Sequence, residues 1–314
     1  MVWGTAMLGP SDVTRLEEAT RALRELDYRS GGETCLDDVR QRIRDSIPLL
    51  TAPMPERVRR RLHVALADLR NLAGWVCFDA GLVSNAHNHF CHALALAGLA
   101  RADGLTANVC YRLGRVFLHH GQLDEASRYF GLGRIAASRS GDGLAASILS
   151  VNAAWACAKR GAEHDARTLL DRGREEFTAA NRTDVAGWAA FFTEADLSGI
   201  AGAVYADLSG TVGRQHARTA VPLLTEAVDG YDEGMVRSRT FSLILLSTSH
   251  LVEGNVQAGV DAGLRALATA GTVRSARVRD RFRPLACQAR HHDHAAARDL
   301  AERVDAATGT PPAS

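Results

Sequence analysis

A step of forty residues runs through the middle of this chain and limits what it can fold into. Gly74, Gly114 and Ala154 stand forty apart, and so do Gly81, Gly121 and Gly161. The same step links Ala86, Ala126 and Ala166, and again Phe90, Phe130 and Leu170. Self-similarity at this period marks a chain of stacked supersecondary units, none of which buries its apolar face alone. The columns describe a helix hairpin. Small residues at 74, 114 and 154, and at 86, 126 and 166, let its two helices approach closely. Phe90, Phe130 and Leu170 are expected to fill the groove between successive hairpins. Gly81, Gly121 and Gly161 fall where the first helix must stop, in the left-handed conformation that glycine adopts at least cost. Ser84 and Asp124 follow three residues later and are expected to cap the second helix.

Units of less regular pattern flank these three. Residues 188–230 carry Trp188, Phe191, Phe192, Gly202, Ala220, Leu224 and Ala227, and residues 237–270 carry Ser247, Gly254, Gly259 and Ala266. Before the array, 12–28 and 34–50 show apolar periodicity near 3.6 on either side of Ser30-Gly31-Gly32, which predicts another hairpin. Residues 273–288 and 294–307 read as two terminal helices. The expectation is an all-α fold: about fourteen helices, no strand, and a single α-solenoid over 12–307. Its hairpins lie near 12–50, 57–100, 105–140, 144–182, 188–230 and 237–270. A flexible segment is expected at 1–11 and a disordered tail at 308–314.

Composition narrows the function. Thirty-seven basic against thirty-six acidic residues leaves a net charge of +1, without the basic excess of a nucleic-acid binder, so direct nucleic-acid binding is not expected. No apolar run is long enough for a membrane span, and the N-terminus lacks the pattern of a secretory signal. Six cysteines without a CxxC pair fit free thiols, so a cytoplasmic protein is expected. There is no GxSxG elbow, phosphate loop or GxGxxG after a strand, so the chain does not read as an enzyme, and no cofactor is expected.

The second unit, Leu113-Gly114 … Gly121 … Ala126 … Phe130, is spaced as in a tetratricopeptide repeat. More broadly the chain resembles the tetratricopeptide-like C-terminal region of actinobacterial regulators that carry a helix-turn-helix at their N-terminus. The similar stretches include Leu26-Asp27-Tyr28-Arg29-Ser30-Gly31-Gly32, Leu72-Ala73-Gly74-Trp75 … Asp79-Ala80-Gly81 and Trp188 … Phe192-Thr193-Glu194-Ala195-Asp196-Leu197. Val236-Arg237-Ser238-Arg239 and Arg274-Ser275-Ala276-Arg277 also fit. The resemblance implies a role in regulating gene expression. The similar region begins by about Ser11, with no counterpart of the helix-turn-helix, so DNA binding does not carry over. A free-standing sensor or adaptor, or a truncated form, is expected.

In arrays of this type the first helix of each hairpin lines a concave groove. Counting from the small-residue column places Asp68, Asn71, Trp75 and Asp79 there, then Asn108, Tyr111, Arg115 and His119, then Trp155 and Lys159. The tryptophans are suited to stack on a planar or peptidic ligand, and Arg115 and Lys159 to hold a carboxylate. The alternative is that Trp75 and Trp155 pack between hairpins while the charges solvate the groove. The ligand expected is a peptide, a protein surface or a small signal molecule.

Three other features invite a function. The cluster His87, His89, Cys91 and His92 suggests a metal-binding or catalytic helical protein, although one helix cannot supply four ligands to one ion. Basic clusters at Arg57, Arg59, Arg60 and Arg61, and from Arg274 to Arg283, suit phosphate or an acidic partner. A homodimer through residues 273–307 would cover the apolar end of an uncapped array.

Overall fold

The structure is a computed structural model and describes residues 7–183 and 185–309. Those residues form fourteen α-helices, two short 3₁₀ turns and no strand, so the expected all-α class is observed. The helices are α1 (Pro10–Ser30), α2 (Gly32–Ser46), α3 (Glu56–Asp79), α4 (Val83–Leu99), α5 (Asp103–His119), α6 (Leu123–Ser140), α7 (Gly143–Lys159) and α8 (Glu163–Ala179). They continue as α9 (Glu194–Thr211), α10 (Ala217–Gly230), α11 (Val236–Glu253), α12 (Val256–Ala270), α13 (Ala276–Arg290) and α14 (Ala295–Thr308). Each odd-numbered helix packs against the even-numbered one that follows it. No helix among the described residues is long and apolar enough to cross a membrane.

Close approach within a pair depends on missing side chains. A Cβ on Gly74 would lie 2.6 Å from the ring of Phe90, and one on Gly114 would lie 2.3 Å from Phe130. Gly202 would meet Leu224 at 2.6 Å, and Gly259 would meet Leu251 at 2.7 Å. Phe90 and Phe130 have no exposed surface. Their rings lie above a glycine of their own pair and belong to the same buried clusters as side chains of the following pair, Leu105 and Val109 for Phe90 and Ile148 and Leu149 for Phe130.

The three pairs α3/α4, α5/α6 and α7/α8 turn in one way. Gly81, Gly121 and Gly161 have φ of 79°, 72° and 74°. In each turn the next residue closes the helix end from outside: Leu82 donates its N–H to the Cys77 carbonyl, Gln122 to Phe117 and Ala162 to Cys157. This is the Schellman arrangement, and it satisfies carbonyls that the helix leaves open. The caps of the following helices differ from expectation. Leu82 and Gln122 occupy the N-cap positions, so Ser84 and Asp124 lie inside α4 and α6. The tight turn leaves no spare residue for a polar cap, and Asp124 instead sets its charge in the first turn, where the helix dipole favours it.

Residues 188–191 are turn, 192–193 are irregular, and helix resumes only at Glu194, capped by Thr193 and Asp196. Trp188, Phe191 and Phe192 are therefore not part of a helix. At the chain ends, residues 1–6 and 310–314 lie outside the described residues. Of the expected flexible segment 1–11, Leu8 is buried, donates its N–H to the Pro53 carbonyl at 3.0 Å, and is followed directly by α1. Thr308, placed in the expected tail, ends α14.

The terminal helices do not present a free apolar face. Phe282 and Leu285 of α13 and Leu300 and Val304 of α14 are buried against their neighbours. Those side chains are covered by α11 and α12 within the chain itself.

Two glycines separate packing from propensity. Gly114→Ala should destabilise the protein by about 1–3 kcal/mol, because its methyl must displace a buried ring. Gly131→Ala, on the exposed side of α6 with open space around it, should stabilise by roughly 0.5–1 kcal/mol through helix propensity alone. Chemical denaturation of both variants checks the pair, and a loss at both positions would show that the glycine–ring contact is not the cause.

Candidate functional site

The face on which a concave groove was expected is bridged by the chain's own ends. The first pair of helices, at the N-terminal end, meets α11 and α13, near the C-terminal end, around one buried carboxylate. Asp79, the last residue of α3, has no exposed side-chain surface. Its Oδ1 accepts from Ser275 Oγ and from Arg277 Nε, both at 2.8 Å, and its Oδ2 accepts from the Gly32 N–H at 2.8 Å. Arg237 Nη1 stands 3.1 Å from Oδ2. The same Arg237 forks onto Asp27 of α1, at 2.8 and 2.9 Å. The backbone completes the seam: Arg274 N–H donates to the Ser30 carbonyl at 3.0 Å. Gly31, with φ of 86°, lies so close that a Cβ there would come within 2.4 Å of the Arg274 carbonyl oxygen.

Inside this ring lies a chamber of two connected lobes. The inner lobe, about 90 Å³, is walled by Trp75, Tyr111, Trp155, Phe191, Tyr231 and Phe241, together with Arg112, Arg115, Arg277 and Arg281. The outer lobe, about 490 Å³, continues past His119 and Lys159 to the exposed His120, Asp280 and Arg283. Arg115, Trp155, Leu245, Arg277 and Arg281 line both lobes and so mark their junction. Every lining residue comes from an odd-numbered helix or from a turn beside one. Cβ vectors at i, i+3 and i+4 share a face, which is why Tyr111, Arg112 and Arg115 of α5, and Arg277 and Arg281 of α13, reach the same space.

Charge in the chamber is unbalanced. Among the described residues, Arg112, Arg115 and Arg281 have no carboxylate oxygen within 4.0 Å, whereas Arg237 and Arg277 share Asp79 and Asp27. Arg112 donates to the Asn71 carbonyl at 3.0 Å and leaves its Nε buried without a partner. Arg115 donates to Asn152 Oδ1 at 2.9 Å. Arg281 makes no hydrogen bond among the described residues, and its Nε is buried.

Aromatic faces take the place of anions. Arg115 and Arg281 sit 4.5 and 5.1 Å from the centre of the Trp155 ring, and Arg281 also lies 4.7 Å from Phe241. Arg277 stands over Trp75 at 4.4 Å and Phe78 at 4.6 Å, and Arg112 over Trp75 at 5.2 Å. Such contacts attract a cation without neutralising it. Burial, and then the like charges of Arg115 and Arg277, bring the Arg281 guanidinium down to about 9, still charged at neutral pH. Across the inner lobe, burial pushes the Asp196 carboxyl up to about 7 against its hydrogen bonds from Thr193. Burial, then Arg281 and Arg277, hold the His119 imidazole down to about 4, so it faces the outer lobe neutral, 3.3 Å from Asp280.

The ten residues chosen from the sequence divide by location. Trp75, Tyr111, Arg115 and Trp155 line the chamber, and His119 and Lys159 line its outer lobe. Lys159 is paired with Asp207 at 3.2 Å. The other four are consumed by the framework. Asp68 accepts from Arg24 at 2.5 Å, Asn71 donates to Asn108 Oδ1 at 2.9 Å, and Asp79 closes the ring. Asn108 reaches the Trp188 carbonyl at 3.3 Å. Arg112, Arg277, Arg281, Phe241 and Tyr231 were not among the ten. The basic run 274–283 was legible, but its helical period, which turns Arg277 and Arg281 inward and leaves Arg274, Arg279 and Arg283 exposed, is the signal that separates them. At the other basic cluster Arg60 donates to the Ala100 carbonyl at 3.0 Å and Arg61 pairs with Glu17 at 2.5 Å.

The histidine cluster does not converge. His87 packs edge-on against Phe117, and His89 lies 3.2 Å from Arg70, a cation that opposes a metal ion. Among the described residues no three His, Cys, Asp or Glu side chains are placed to hold a metal. No protein-family model matches the chain, and no curated protein is similar to it.

The seam predicts a pH signature. Asp79→Asn should cost about 3–5 kcal/mol, because it leaves Arg277 and Arg237 buried with too little opposing charge. Burial alone would raise the Asp79 carboxyl, but Arg237, Arg277 and its hydrogen bonds bring it from 3.8 to about 2. A depressed folded value stabilises above the unfolded one and is lost as pH falls through the folded one. The difference in melting temperature between wild type and variant should therefore be full above about pH 4 and shrink toward pH 2. A gap independent of pH would show that the Asp79 charge does not hold the seam.

Proposed function

We propose that this chain is a non-enzymatic regulatory or adaptor protein whose interior chamber binds a small signal molecule or a short peptide. In this reading the helix pairs are a tetratricopeptide-like array with units of about forty residues. Its place is among the C-terminal regions of actinobacterial helix-turn-helix regulators, in the cytoplasm and in the control of gene expression. The observation that carries the reading is the chamber, in which three arginines without carboxylate partners face stacked aromatic rings across an enclosed space. Its two lobes together fall within the usual size of small-molecule sites.

Enclosure favours a small ligand over a folded partner, since Trp75 and Trp155 are buried behind the seam. The physical logic of signalling follows from the same seam. A ligand lying between Arg277 and Arg281 of α13 and Arg115 of α5 touches helices far apart in the sequence. Binding therefore biases how tightly the ring is closed, and a partner that contacts the outside of the ring senses the difference.

The test compares wild type with Trp75→Ala and Arg115→Glu after incubation in native cell extract, with bound small molecules and proteins identified by mass spectrometry. The expected result is one small molecule or peptide retained by wild type and lost from both variants, at unchanged helical content. Retention of the same compound by both variants, or retention of nothing by wild type, would overturn the chamber as the binding site.

A further inference from the structure

We infer, resting on the chamber reading above, that the ligand is a small dianion carried on a flat apolar body. Its charged group sits at the junction of the two lobes, and its flat body enters the inner one. Charge balance sets the number. Asp27, Asp79, Arg237 and Arg277 form a neutral cluster of two carboxylates and two guanidiniums. Arg24 is cancelled by Asp68, and Lys159 by Asp207. That leaves Arg112, Arg115 and Arg281 against Asp196 alone among the groups lining the inner lobe, an excess of two positive charges when Asp196 is ionised. Arg112 is buried and Arg115 and Arg281 are half-buried; cations drawn this far from water without a counter-ion are costly, and an anion at their junction supplies the missing charge.

Position follows from which residues are shared. Arg115, Arg277 and Arg281 line both lobes, so an oxyanion at the junction reaches all three chains. Arg281 brings all its N–H donors unused, and Arg115 brings those not spent on Asn152. A guanidinium placed over the Trp155 ring spends no hydrogen bond on a carboxylate there and retains donors that suit carboxylate or phosphate. Beyond the junction, the inner lobe is walled by Trp75, Tyr111, Phe191 and Phe241, with Tyr111 and Phe191 stacked at 17° between their planes. Those walls take an aromatic or other planar group. A phosphate monoester and a dicarboxylate share the required chemistry, and the experiment separates them.

The experiment is isothermal titration calorimetry of the full chain with four probes: phenyl phosphate and phthalate as dianions, benzoate as a monoanion and benzamide as a neutral control. At least one dianion should bind with one site per chain, benzoate at least about tenfold more weakly, and benzamide more weakly still. Binding of phenyl phosphate alone assigns the phosphate source, and binding of phthalate alone the dicarboxylate. Arg281→Gln should weaken the dianion at least about tenfold with the melting temperature of the free protein unchanged or raised, since it removes a half-buried charge repelled by its neighbours. Arg115→Gln serves as the second variant should the first not fold. Benzamide binding as tightly as either dianion, or a dianion affinity unaltered by loss of Arg281 or Arg115, overturns the charge assignment but leaves the chamber as a binding site. Absence of binding by both dianions overturns the inference as well, while the extract experiment above judges the chamber on its own.

Discussion

Asp79 has no exposed surface, yet three segments distant in sequence depend on its charge. It holds the first residue of α2 through Gly32, the cap of α13 through Ser275, and guanidiniums from α11 and α13. Without a carboxylate there, Arg237 and Arg277 would be buried with one acid, Asp27, between them. A buried ion cluster of this kind adds little net stability over apolar packing of the same shape, but removal of one member is costly because the others are stranded. What the cluster supplies is register. A row of helix pairs joined only by neighbour contacts can open or close by small rotations at every joint. A fully hydrogen-bonded carboxylate accepts its donors in one arrangement, and it selects the closed ring.

Closure decides the electrostatics of the interior. By drawing both Asp27 and Asp79 into the seam, the fold uses up the acids that the inward-facing arginines would otherwise meet. Asp68 is likewise committed to Arg24. The remaining cations are held by indole and phenyl faces, and Arg277 by faces as well as by Asp79. The chamber and the seam are thus one structure: the residues that shut the ring are neighbours, on the same helix faces, of those that line the space within it. Arg277 belongs to both.

Much of the framework could be read from the chain, because helix-pair packing is written in local spacing. Gly74 and Gly114 signal a close approach at fixed distance from Phe90 and Phe130, and Gly81, Gly121 and Gly161 signal a turn that only positive φ allows. Helix caps were harder, since one residue of offset moved Ser84 and Asp124 inside their helices. The site was legible only in part. Trp75, Tyr111, Arg115 and Trp155 follow from counting along one helix face. Asp68, Asn71, Asp79 and Asn108 lie on that same face, and nothing local distinguishes a residue that faces a ligand from one that faces Arg24 or Arg277. The deciding partners lie far away in sequence, Arg277 being 198 residues from Asp79 and Arg237 being 210 from Asp27. Asp27 to Gly32, Asp79, Arg237 and Arg274 to Arg277 come together at this seam. They are a framework pattern, and a pattern of that kind reports how a ring closes before it reports what the ring encloses.

The aromatic residues then acquire a double purpose that neither packing nor ligand binding alone explains. An arginine paired to a carboxylate would be neutralised and its donors spent, as Arg237 shows. An arginine left bare in a buried space would be too costly to keep charged. A ring face offers a middle course: it stabilises the guanidinium by its quadrupole, roughly 2 kcal/mol when desolvated, and engages none of its N–H groups. Trp155 does this for Arg115 and Arg281, and Phe241 does it again for Arg281. The result is a cluster of donors that is held in place, charged and only partly satisfied, a state that a purely structural core would be expected to avoid. Burial of the tryptophans is therefore no argument against a binding role, since it is by being buried that they keep the arginines available.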